Sequence, residues 1–178
     1  MLTLEQQLDK LADLGITFKK PKEKVLELTG INGSAYYEEE PYTRLLAELG
    51  MFSLSANIWT FDLESAEGSD VYEEYITSMI GLSEGRIQIS DLHGKFDPTE
   101  SATRISFVYE GKTHELSAMN QGDWIDLFVF GSVQNIVQGT DQRFVHHVQD
   151  QTVTVVFCND AAQQELRELT NGAYGSLI

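Results

Sequence analysis

The chain has 178 residues, 42% of them hydrophobic, and carries 28 Asp and Glu against 12 Lys and Arg, a formal net charge of -16. So much negative charge repels phosphate backbones and argues against nucleic acid as a direct ligand, while the apolar fraction is ample for a buried core. A single cysteine rules out an intramolecular disulfide, and the longest apolar stretch, 124–137, is broken by Asp126, Ser132, Gln134 and Asn135 and falls short of the ~20 residues that a bilayer requires.

The first residues lack the basic start and apolar run of an export signal, so a cytoplasmic address is expected. Three prolines and scattered glycines leave no linker, repeat or low-complexity tract, which predicts one domain over 1–178. The best candidate for a subdivision lies near 94–101, between a helix-rich 1–94 and the remaining 101–178.

In chain order, Thr3 and Gln6 make a capping box for a helix whose Leu4, Leu8 and Leu11 share one face, and Gly15-Ile16 supplies a left-handed ending. The same ending recurs at Gly30-Ile31, after a helix opened by Pro21, and at Gly50-Met51, after a helix over 42–49 opened by Pro41. Next, Ile58 and Thr60 alternate with Trp59 and Phe61, the pattern of a buried strand. Asp70 and Glu73 begin a helix carrying Tyr72, Tyr75, Ile76, Met79 and Ile80, which decays at Gly81 and Gly85, and Ile87 with Ile89 predicts a short strand.

In the second half Ile105, Phe107 and Tyr109 alternate, and Glu110-Gly111 turns the chain into 112–116. Opposed positions in that hairpin sum to 221, which pairs Phe107 with His114 and Ile105 with Leu116. A helix over 123–138 follows, with Asp123 as its cap and Trp124 anchored in the core. Segments 143–148 and 152–158 form a second hairpin around Gln149-Asp150-Gln151, with opposed positions summing to 300, and Asn159 caps a last helix. The fold class is α+β: an antiparallel sheet built from hairpins, the C-terminal half reading ββαββα, with the N-terminal helices packed on it.

Chemical motifs fail on inspection. Gly111-Lys112-Thr113 ends like a phosphate-binding loop, yet Ser106 stands where that loop needs glycine. His114-Glu115 begins like a zinc-protease motif, but Ala118 replaces the second histidine. Cys158 ends a strand beside the strand of His146 and His147; with His146 opposite Thr154 the two groups lie about 13 Å apart, too far for a catalytic pair. His146 and His147 face opposite ways and cannot share a metal. The carboxylates Asp62, Glu64, Asp70 and Glu73 gather near one strand end, but capping and solvation account for them. No metal, no cofactor and no catalytic residue is expected.

The phrases PYTRLLAELG at 41–50, NIWTFDLE at 57–64, DWID at 123–126 and RFVHHVQDQTVTVVF at 143–157 resemble small acidic bacterial proteins of the immunity type, from polymorphic and contact-dependent toxin systems. The resemblance implies a cytoplasmic protein that binds a toxin domain and blocks it; it transfers no site residues. Charge agrees, because an acidic surface set with aromatic side chains steers and holds a basic protein. The expected interface is Tyr36, Tyr37, Glu38, Glu39, Glu40, Tyr42, Glu64, Glu67, Asp70, Glu73 and Glu74. The alternatives are a small enzyme whose site is assembled from dispersed residues such as His93, Asp97 and His114, and a structural subunit of a larger assembly.

Overall fold

The structure is a computed structural model that describes residues 2–64, 70–119, 121–137, 139 and 141–176. The α+β class holds, and the C-terminal half runs ββαββα. The strands, however, form two antiparallel sheets of three rather than one: β1 (Ile58–Asp62), β6 (Thr152–Asn159) and β5 (Gln142–Gln149) in one, and β2 (Ser90–Asp97), β3 (Ala102–Tyr109) and β4 (Lys112–Met119) in the other. The two expected hairpins therefore go to different sheets.

The first sheet is buried on both faces, and strand alternation divides its side chains between two cores. Val153, Val155 and Phe157 of β6 join Phe61, Phe144, α5 (Val71–Gly81), α6 (Leu127–Val137) and the inner face of the second sheet through Ile105 and Phe107. Val156 and Cys158 join Ile58 and Val145 beneath a helical layer of α1 (Leu4–Asp13), α2 (Lys22–Thr29), α3 (Ser34–Glu39), α4 (Thr43–Met51) and α7 (Asp160–Leu169). The order of layers is helices, sheet, two helices, sheet.

Local chemistry explains most boundaries. The Thr3–Gln6 capping box forms, and Gly15, at φ 86°, ends α1 while Ile16 N–H donates to the Leu11 carbonyl at 3.0 Å. That ending is not repeated. Gly30 is right-handed and leads into a short 3-10 turn over Gly30–Asn32, and Gly50 lies inside α4. What Gly50 provides is proximity: a Cβ there would stand 2.8 Å from the Thr60 amide nitrogen and 2.9 Å from the Trp59 carbonyl carbon, so α4 lies directly on β1.

The first hairpin has the expected register, Phe107 against His114 and Ile105 against Leu116, with Glu110 and Gly111 both at positive φ. The second turns through two residues, Asp150 and Gln151, so opposed positions sum to 301 and not 300. His146 thus faces Val155 rather than Thr154, and Arg143 stands opposite Cys158. The expected strand at Ile87 and Ile89 is not formed; Ile87 follows a turn over 82–85, its N–H donating to Ser83 Oγ at 3.1 Å, and the strand begins at Ser90. Gly94 pairs with Ile105, so the stretch 94–101 is the end of β2 and its hairpin turn, and ladder pairing runs across it.

Helix α6 starts at Leu127, not at 123, and its expected end at Gln138 lies outside the described residues. Asp126 takes the place expected of Asp123: its carboxylate accepts from Phe128 N–H at 3.0 Å and from Met119 N–H at 2.9 Å.

Candidate protein-interaction surface

The expected interface does not form one face. Tyr36, Tyr37, Glu38, Glu39, Glu40 and Tyr42 belong to the helical layer over one core, whereas Glu64, Asp70, Glu73 and Glu74 flank the other core, on the far side of the first sheet. Glu67 lies outside the described residues.

Two of the tyrosines are corrected outright, because both are buried. The Tyr37 hydroxyl donates to the carboxylate of buried Glu48, with the Thr29 carbonyl alongside, and burial with that partner raises its pKa. Tyr42, at φ 64°, heads α4 with its N–H donating to buried Gln7 at 2.8 Å. Tyr36 is half-buried under the Arg44 guanidinium, 4.5 Å from the ring centroid, and that cation reaches Glu39 at 2.8 Å and Glu40 at 3.3 Å. This cluster is largely satisfied within the chain.

Near α5, Glu73 is also occupied, accepting from Gly94 N–H at 2.6 Å and so tying the helix to β2. Asp70 precedes α5 without a side-chain cap bond, and Asp70, Glu74 and Glu64 are exposed.

The histidine and cysteine candidates are dispersed. His114 stacks on Phe107 on the inner face of the second sheet, while His93 pairs with Ser106 and lies on the outer face, so the trio with Asp97 does not converge. Cys158 is buried, and burial pushes its thiol up to about 12, far from a thiolate at neutral pH. Among the described residues no three His, Cys, Asp or Glu side chains are placed to hold a metal ion.

A surface that the sequence reading did not find lies where β1, β4, α5 and α6 end or begin. Phe128 is 75% exposed, Met119 59% and Trp124 39%. With Leu63, Ile125 and Leu127 they line a concavity of about 370 Å³. Single exposed apolar side chains are ordinary, but an aromatic pair and a methionine around one hollow are the composition of a binding hot spot.

The backing of this hollow is tied down by hydrogen bonds. Ile125 N–H donates to the Leu63 carbonyl at 2.9 Å, Asp126 N–H donates to the Tyr72 hydroxyl at 3.0 Å, and the Asp126 carboxylate joins β4 to α6. Exposed Glu64 directly follows Leu63, exposed Asp123 directly precedes Trp124, and no residue lining the hollow is basic. An apolar centre with an acidic edge results.

Comparison with protein-family models, curated proteins and solved structures finds no match to this chain.

The missed residues follow from one misplaced helix start. A helix from 123 buries Trp124; a helix from Leu127 leaves Asp123-Trp124 in a turn, held by the Gln121–Trp124 bridge. Gly122, at φ 69°, was the available signal, since a glycine between Gln121 and Asp123 marks a turn more naturally than a helix cap.

Proposed function

We propose that this chain is an acidic cytoplasmic binding protein that captures and neutralises a basic protein partner, in the manner of an immunity protein blocking a toxin domain. The observation that carries the reading is the Met119–Trp124–Phe128 hollow with its acidic edge. A net charge of -16 speeds encounter with a basic surface, and desolvated aromatic anchors slow release. A second copy is a poorer occupant, because pairing this surface with itself brings Glu64 and Asp123 of both copies to one boundary.

The test is capture from the native host's lysate on the immobilised chain and on its Phe128→Ser and Trp124→Ala variants. One basic protein is expected at 1:1 stoichiometry, losing about thirtyfold in affinity for each variant, as truncation of a hot-spot aromatic does. Co-expression of the chain should then suppress the toxicity of that protein. Retention unaffected by both variants would remove the surface assignment, and a concentration-dependent dimer in sedimentation that Phe128→Ser abolishes would favour the assembly reading.

A further inference from the structure

The middle rows of the outer face of the second sheet are uncovered among the described residues, and its register sets two cations opposite each other: Lys95 on β2 pairs with Arg104 on β3, which pairs with Ser117 on β4. The next row is His93, Ser106 and Glu115. Like charges directly opposed on a ladder destabilise it. In a chain with only 12 cations against 28 anions, such a pairing calls for a compensating charge.

Compensation within the chain is one-sided. Arg104 reaches Glu100 at 2.8 Å and Asp97 at 3.8 Å, both toward the hairpin turn at 98–101. Lys95 makes no ion pair among the described residues. Around these two cations lies a concavity of about 550 Å³, lined also by His93, Ser106, Ser117 and Glu115, within the size range of small-ligand sites.

We infer that this hollow binds a small hydroxylated molecule through one anionic phosphate or carboxylate group. The anion lies between Lys95 and Arg104 and accepts from the Ser106 and Ser117 hydroxyls, giving Lys95 the counter-charge that Glu100 and Asp97 already give Arg104. Glu115 and Glu100, in the same lining, accept from ligand hydroxyls and repel a second anionic group, which confines the ligand class to molecules with one anionic group. The inference is independent of the proposed partner surface.

The experiment is amide-resolved NMR titration of the full chain with glucose 6-phosphate, gluconate and glucose as probes. Saturable shifts at His93, Lys95, Arg104 and Ser106, with a dissociation constant below about 10 mM for at least one anionic probe and none for glucose, are expected. Response to glucose 6-phosphate alone identifies a phosphate ligand, and response to gluconate alone a carboxylate one. Lys95→Gln should weaken binding about tenfold or more, while Lys112→Gln, which removes a cation outside the hollow, should not. Absence of saturable shifts with both anions, or binding that Lys95→Gln leaves intact, overturns the site.

Discussion

At the scale of single residues, His146 shows how burial governs acid–base behaviour here. Its ring is 5% exposed, both ring nitrogens lack a hydrogen-bond partner among the described residues, and burial alone pulls its pKa down to about 3. The folded state therefore refuses a proton that the unfolded chain accepts below about pH 6.5, so stability is full above that value and declines as pH falls from there towards 3. Between pH 7 and pH 5 this one group should remove about 2 kcal/mol, and denaturant unfolding of the wild type and His146→Leu checks it. Identical pH slopes in the two proteins would sink the attribution. Reading side chains one at a time found that Cys158 is core and that the two adjacent histidines part, because alternation along a strand is enough for both. It misassigned Tyr37 and Tyr42, whose burial depends on Glu48 and Gln7 arriving from other helices, which no local pattern reveals.

Elements were legible where a local period or turn dictated them. The Glu110-Gly111 turn fixed the register of its hairpin to the residue, because positive φ at both positions selects a two-residue loop. Strand β2 escaped notice, since Ser90–Asp97 is mostly polar, lies at a sheet edge with one uncovered face and carries a bulge between Ser90 and His93. The start of α6 was misjudged by four residues, and the aromatic hollow was lost with it. Gly50 illustrates the competition between helix propensity and packing. Alanine favours a helix interior by about 1 kcal/mol over glycine, but here its Cβ would press on the backbone of Thr60 and Trp59, and overpacking costs about 1–3 kcal/mol. Contact with main chain, which has little room to give, puts the cost at the upper end, so Gly50→Ala should lower stability by about 1–2 kcal/mol net in urea melts. A stabilised variant would show that α4 stands off from β1.

For the whole molecule, charge and connectivity set the terms. Ion pairs such as Lys22–Asp9 and Lys24–Glu27 are largely exposed and weakened by solvent, so they do not cancel the repulsion of a net charge of -16. Raising sodium chloride from about 20 mM to about 500 mM shortens the screening length severalfold, and the thermal midpoint should rise by about 2–4 °C. A falling midpoint would mean that attraction outweighs repulsion across the surface. The central position of β6 has a consequence for how the protein is made. Ile58 of β1 pairs with Val156, and the side chains of β6 complete both cores. As the chain leaves the ribosome, the N-terminal helices meet no sheet to settle on and β1 has no neighbour until the strand ending at Asn159 emerges. Nascent chains halted before that strand should remain open to protease, and those halted well beyond it should close both cores together.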